Sequence, residues 1–91
     1  MAHFVAWYNS IGVKIVQYER IRNLREDADM TQQQMADILF INRRTYSSYE
    51  LGIRGIPIEI LSQIADYFNT SIDYLVNRTD CKKAYPSKRH K

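Results

Sequence analysis

Apolar side chains between residues 17 and 78 recur at steps of three and four, the spacing of amphipathic helices. The pattern predicts five of them, over residues 17–28, 32–39, 43–50, 57–68 and 71–77. The second and third helices are too short to be stable alone in water, so they must pack on each other and on their neighbours. We therefore expect a compact all-α bundle of five helices.

The same spacing predicts which residues form the core. The tyrosines among the candidates carry hydroxyls that need hydrogen-bond partners when they are buried. The candidates are Tyr18, Ile21, Leu24 and Ala28 in the first helix, Met35, Ala36 and Leu39 in the second, Tyr46 and Tyr49 in the third, Ile60 or Leu61 with Ile64, Ala65 and Phe68 in the fourth, and Ile72 and Leu75 in the fifth.

Polar residues mark where the helices begin and where the chain turns. Thr31 and Gln34 have the T-x-x-Q spacing of a capping box. Asn42 and Ser71 can cap the third and fifth helices, because a side-chain oxygen can accept from the N–H groups of the first turn. Two further residues lie where the chain must reverse, and their short polar side chains tolerate a left-handed backbone. These are Asp29 and Asn69.

The third helix carries its polar groups near its N-terminus. Arg43, Arg44, Ser47 and Ser48 fall on its polar side, opposite the tyrosines. Arginine and small hydroxyl side chains are groups that read base edges in the DNA major groove. Such a helix, held by a second short helix across a tight turn, suits insertion into that groove.

Charge along the chain is unevenly distributed. The 91 residues, enough for one domain, carry a net charge of +3. Four lysines and one arginine lie in residues 82–91, and without these five, 8 basic residues face 10 acidic ones, a net of −2 for residues 1–81. A DNA-binding face must therefore come from local clustering of Arg43, Arg44 and Arg54 rather than from overall charge.

Catalytic and metal-binding chemistry has little support in the sequence. The single cysteine, Cys81, lies in a polar stretch, and His3 and His90 stand at opposite ends of the chain. One cysteine cannot form an internal disulfide, which favours a reduced cytoplasmic compartment. We expect no enzyme activity, no cofactor, no metal and no membrane segment.

Two segments lie outside the predicted helices, which occupy residues 17–78. Residues 1–16 are apolar and aromatic, and we consider three roles for this N-terminal arm: Trp7 covers the core, the arm pairs with a second subunit, or it is an extension without function. Residues 79–91 are polar and basic, and we expect a disordered tail that either adds phosphate contacts or only aids solubility.

The order of these features resembles one known family. The matching residues are Ile21, Leu24, Arg25, Thr31-Gln32, Met35-Ala36, Leu39, Tyr46, Tyr49-Glu50, Gly52, Pro57, Leu61, Ala65, Ser71-Ile72-Asp73 and Leu75. Together they resemble the Cro/repressor-type helix-turn-helix domain, also called the XRE family, over about residues 18–78. The resemblance implies a lambda-repressor-like fold.

The resemblance also implies roles for individual residues. Arg43, Arg44, Ser47 and Ser48 match positions that read bases. Gln32, Asn42 and Arg54 match positions that contact the DNA backbone. The position of Gln32 also braces the recognition helix. Arg25 and Glu50 match a partly buried ion pair that ties the first helix to the third.

The sequence departs from the family pattern at the turn between the second and third helices. The family usually has a glycine there in a left-handed conformation, whereas this chain has Phe40. Because a bulky residue is strained in that conformation, we expect a reshaped turn with Phe40 either exposed or packed on the N-terminal arm.

The function implied by the resemblance is a sequence-specific regulator of transcription that binds double-stranded DNA, of bacterial or phage type, with repression as the expected mode. It would bind as a homodimer and read the major groove with residues 43–50. The alternative is an antitoxin or another protein-interaction module that uses the same fold, with a protein partner bound through residues 1–16.

Overall fold

The computed structural model describes residues 18–86, and this part of the chain contains five α-helices and no strand. They are α1 (Glu19–Asp27), α2 (Gln32–Leu39), α3 (Arg43–Leu51), α4 (Ile58–Tyr67) and α5 (Ile72–Leu75). The predicted all-α bundle is confirmed, with each helix within a few residues of its expected bounds. None of the five is long and apolar enough to cross a membrane. The N-terminal arm and residues 87–91 lie outside the described residues.

The core lies where the five helices meet, and it closely follows the predicted faces. Most of the expected residues are buried, and at the fourth helix it is Leu61 rather than Ile60 that is fully buried. Ala28 was expected inward but is exposed, because α1 ends at Asp27 and Ala28 is its C-cap. The core residues are Ile21, Leu24, Met35, Ala36, Leu39, Tyr46, Leu61, Ile64, Ala65 and Leu75.

Side-chain caps start three of the helices as predicted. Thr31 Oγ1 accepts from the N–H of Gln34 at 3.0 Å, and Gln34 Oε1 accepts from the N–H of Thr31 at 2.8 Å. Asn42 Oδ1 accepts from the N–H of Thr45 at 2.7 Å, and Ser71 caps α5 in the same way. The first N–H groups of α2 and α3 are thus satisfied locally, and this fixes where both short helices begin.

The turn between α2 and α3 keeps the left-handed residue, so the expectation of a reshaped turn is wrong. Phe40 has φ 59° and ψ 41° and is 93% exposed. The N–H of Ile41 bonds to the carbonyl of Ala36 at 3.0 Å, and Ile41 packs on the core. These are the hydrogen bond and the apolar contact of a Schellman motif, which demands a left-handed residue just before Ile41. The packing of the partly buried Ile41 on the core therefore holds Phe40 in its strained conformation.

Residues 79–86 are held against the domain, which differs from the disordered tail expected from the sequence. Arg20 on α1 donates to the carbonyls of Tyr74 and Thr79, at 2.9 and 2.6 Å, and to the carboxylate of Asp80. Thr70 Oγ1 donates to the carbonyl of Lys82 at 2.6 Å. Polar backbone contacts of this kind have no periodicity in sequence, so the helical pattern gave no sign of them.

We predict that replacing Phe40 with glycine stabilises the protein. Glycine adopts the left-handed conformation without strain, and the exposed ring contributes little packing, so the free energy of unfolding should rise by about 1 kcal/mol. Urea denaturation followed by circular dichroism measures the change. Phe40→Ala is the matched control, because it removes the ring but keeps Cβ. Equal stability of the two variants would show that the backbone at this position is not strained.

Candidate nucleic-acid interface

A buried carboxylate anchors the helix that carries the predicted DNA-binding residues. Glu50, in the last turn of α3, is only 4% exposed. Arg25 on α1 reaches it with two hydrogen bonds, from Nε to Oε2 at 2.6 Å and from Nη2 to Oε1 at 3.1 Å. This forked geometry is the strongest form of an arginine–carboxylate pair. The third helix is thereby tied to the first by a charge pair that is largely shielded from water.

Two further side chains donate to the same carboxylate. The hydroxyl of Tyr46, one turn earlier in α3 and fully buried, donates to Glu50 Oε2. Gln32, the first residue of α2, donates from Nε2 to Glu50 Oε1 at 3.1 Å. The sequence indicates that a buried Tyr46 needs a hydrogen-bond partner but does not by itself identify Glu50; the signal for this pair is the spacing of four residues, which places both on one helix face.

These hydrogen bonds determine the ionisation of the cluster. Burial alone would raise the pKa of Glu50, but the hydrogen bonds from Arg25, Tyr46 and Gln32 outweigh it and lower that pKa below its ordinary value. Burial raises the pKa of the Tyr46 phenol, and its bond to Glu50 raises it further. At neutral pH, Glu50 is therefore a carboxylate and Tyr46 a neutral donor.

Gln32 connects the buried cluster with the surface. While its amide nitrogen donates to Glu50, its Oε1 lies 3.4 Å from Nη1 of Arg43, the first residue of α3. The distance is at the long limit of a hydrogen bond, so the bond is weak. Its main effect is to orient the guanidinium group. The structure thus brings together Gln32 and Arg43, which the sequence placed in separate roles.

Three arginines lie on the exposed side of this assembly. Arg43, Arg44 and Arg54 are all exposed, and within residues 18–86 none of them forms an ion pair with a carboxylate. Guanidinium groups without a carboxylate partner can bind an external anion or a base edge without first breaking an internal ion pair. They provide the local positive charge that the net acidic residues 1–81 otherwise lack.

The two serines differ in their availability. Ser47 is half-buried on the same face of α3 as Arg43. Ser48 Oγ donates to the carbonyl of Thr45 at 2.7 Å, and the Ser48 carbonyl accepts from the N–H groups of Ile53 and Arg54. Ser48 therefore helps to close the last turn of α3 and positions the loop that carries Arg54, and its hydroxyl retains only the capacity to accept.

A shallow depression of about 220 Å³ lies on this surface. Its walls are formed by the N-terminal and the C-terminal parts of α3 and by the loop that follows. They comprise Arg43, Arg44, Ser47, Ser48, Leu51 and Ile53. Four of the seven predicted DNA-contacting residues therefore share one concave surface. Gln32, Asn42 and Arg54 are not among its lining residues.

Comparison with known proteins identifies the class of this fold. A family model described as helix-turn-helix matches residues 21–75, which is more than half of the chain. The chain therefore belongs to this helix-turn-helix family, and the resemblance noted in the sequence is confirmed.

Several named relatives are regulators of transcription. The chain is 37% identical over 68 residues to the HTH-type transcriptional regulator AnsR of Bacillus subtilis. The aligned region covers 75% of the chain and 59% of AnsR. It is 44% identical over 61 residues to the cryptic phage CTXphi transcriptional repressor RstR of Vibrio cholerae, covering 66% of the chain and 54% of RstR. The HTH-type transcriptional activator BcrR of Enterococcus faecalis is 32% identical over 80 residues, covering 74% of the chain and 39% of BcrR.

The chain spans less than two thirds of the length of these relatives. The similarity therefore concerns a part of each relative rather than the whole protein. No solved structure gave a significant match.

We predict that Arg25→Met destabilises the protein by about 3 kcal/mol or more, because it leaves the buried carboxylate of Glu50 without its counter-charge. Arg22→Met is the matched control on the same helix, since among the described residues Arg22 pairs with the exposed Glu26 and with no buried carboxylate. That control should change the free energy of unfolding by less than about 0.5 kcal/mol. Chemical denaturation of both variants measures the difference, and similar losses would contradict a special role for the Arg25–Glu50 pair.

We also predict a loss of stability in acid that depends on Glu50. Its pKa is lowered in the folded state, so the unfolded chain takes up the proton first, near the ordinary glutamate pKa of about 4.3. The contribution is present above that pH and is lost as the pH falls through the folded-state pKa. Urea titrations between neutral pH and pH 3 should show Glu50→Gln, which lacks this proton site, losing less stability than wild type. Parallel losses in the two proteins would be evidence against the effect.

Proposed function

We propose that this protein is a sequence-specific regulator of transcription that binds double-stranded DNA through the major groove with α3. The observation that carries the proposal is the cluster of exposed arginines, unpaired within residues 18–86, at one face of a helix anchored from behind by Glu50. A rigid helix with donors in fixed positions is what direct reading of base edges requires. The names of AnsR and RstR support the same function.

Each predicted residue has a chemical task in this proposal. Arg43 and Arg44 read guanine through O6 and N7, and Ser47 and Ser48 lie beside them as small hydrogen-bonding groups. Oriented by Gln32, Arg43 approaches the base with less freedom to lose on binding. The amide of Asn42 can donate to a phosphate, because its cap uses only the oxygen. Gln32 and Arg54 contact phosphates on either side of the groove.

The charge distribution favours specific over general affinity. Affinity that rests on phosphate contacts grows with the number of cationic side chains, because each contact releases counterions from the DNA. This affinity falls steeply as the salt concentration rises. Residues 1–81 are net acidic, so only a few cations at the interface oppose repulsion between the domain and DNA. We therefore expect residues 1–81 to contribute little affinity for random DNA and to depend strongly on the correct bases.

One domain of this size covers only a short stretch of DNA, and we propose that two copies bind half-sites about one helical turn apart. Each copy would place its α3 in a separate major groove on the same side of the duplex. The sign of regulation is not set by this geometry, and the named relatives include both a repressor and an activator.

Selection of bound duplexes from a random library tests the proposal, because recovered half-sites and their spacing report specificity and dimer geometry together. On the selected site, Arg43→Ala and Arg44→Ala should each cost about 1–3 kcal/mol of binding free energy and relax preference for a guanine. Titration of labelled duplexes measures both. Wild-type affinity and specificity in both variants would refute the assignment of these arginines.

Two charge-matched variants sharpen that experiment. Arg54→Ala should weaken binding to all sequences alike and reduce the slope of log affinity against log salt by about one. Arg22→Ala removes the same charge from α1, in an exposed pair outside the interface, and should leave specificity unchanged. If Arg22→Ala and Arg44→Ala behave alike, only overall charge matters.

A further inference from the structure

Two large apolar side chains are exposed beside the arginines of the interface. Leu51, the last residue of α3, is 56% exposed, and Ile53, just after it, is 71% exposed. Both line the same depression as Arg43 and Arg44. Apolar groups that remain in water next to charged ones gain free energy only when something covers them. The polar contacts of the proposed DNA complex do not account for these two residues.

Helix geometry sets their distance from the arginines. Leu51 stands seven residues after Arg44, which is two turns, so both lie on one face of α3. At a rise of 1.5 Å per residue, Leu51 is about 10 Å further along the helix axis. Because a helix in the major groove is inclined to the DNA axis, that length spans at most about three base steps of DNA at 3.4 Å each. The depression is therefore polar at the N-terminal end of α3 and apolar about 10 Å further along the helix.

We propose that Leu51 and Ile53 form a binding site for the C5-methyl group of a thymine, a few base pairs from the guanine read by Arg43 or Arg44. This inference rests on the proposed function and states which base the apolar end of the depression recognises. Thymine is the one unmodified base that presents an apolar group in the major groove. The amino group of cytosine, placed against the same side chains, would lose water without gaining a partner.

The surroundings favour a base edge over a protein as the occupant. The depression is only about 220 Å³, and its remaining walls carry two guanidinium groups that no carboxylate neutralises within residues 18–86. An apolar protein surface docked there would bury those charges unpaired, which is costly. DNA covers the apolar side chains while its bases and phosphates meet the arginines, so one ligand satisfies both ends of the surface.

The test replaces thymine with uracil, which removes only the methyl group, one position at a time in the duplex recovered by selection. Wild-type protein should bind about fourfold more weakly when the contacted thymine is replaced, the factor expected for one buried methyl-sized group. The doubly substituted Leu51→Ala, Ile53→Ala protein should bind the thymine and uracil duplexes equally. Ile58→Ala is the matched control, because Ile58 is 59% exposed but does not line the depression. It should retain the fourfold preference.

The outcomes separate this inference from the proposed function. If a defined site is selected and no uracil substitution weakens wild-type binding, or the selected half-site contains no thymine, the methyl site is refuted while DNA reading stands. If no sequence is selected, both fail. A change in sedimentation of the DNA-free Leu51→Ala, Ile53→Ala protein, without loss of the thymine preference, would assign the surface to a second copy of the chain and overturn the proposal. Comparison with wild-type protein needs no variant, so the result does not depend on the stability of the substituted chains.

Discussion

A carboxylate buried at the back of α3 can exist only if several donors surround it, and this requirement organises the domain. Isolated in the interior, the charge of Glu50 would be prohibitively costly. Its donors come from three different helices: Arg25 from α1, Gln32 from α2 and Tyr46 from α3 itself. The position of each helix relative to the others is therefore constrained by hydrogen-bond geometry as well as by apolar packing. Directional bonds of this kind fix a helix more narrowly than burial alone, which tolerates rotation.

This arrangement separates the groups that hold the structure from those that meet the ligand. The apolar side of α3 and Glu50 face inward, whereas Arg43 and Arg44 face outward without carboxylate partners among the described residues. Gln32 takes part in both sets, since it contacts Glu50 on the inside and Arg43 at the surface. A change in the buried cluster can therefore reach the surface by a single short path, while most of the outer face can vary without affecting the core.

Much of this could be predicted from the sequence because it depends on local chemistry. The caps are as predicted: Thr31 forms a capping box with Gln34 in α2, and Asn42 caps α3. The backbone is left-handed at Asp29 and Asn69, as expected. Phe40 could not be predicted in the same way. Its own preference opposes the conformation that it adopts, and the packing of its partly buried neighbour Ile41 on the core favours that conformation. Tertiary packing overrides local preference there, and only the structure shows which of the two is stronger.

The contacts of Arg20 with the segment after α5 were also not predicted from the sequence. Arg20 stacks on the ring of Tyr74, with its guanidinium carbon 4.2 Å from the ring centre, and bonds across 59 residues to the carbonyl of Thr79. One side chain thus closes almost the whole described chain into a loop, joining its first helix to the segment after its last. A fragment ended at residue 78, where the helical pattern stops, would keep all five helices and the contacts of Arg20 with Tyr74, but it would lose the bonds of Arg20 to Thr79 and Asp80. The natural limit of the folding unit therefore lies beyond the limit of its secondary structure.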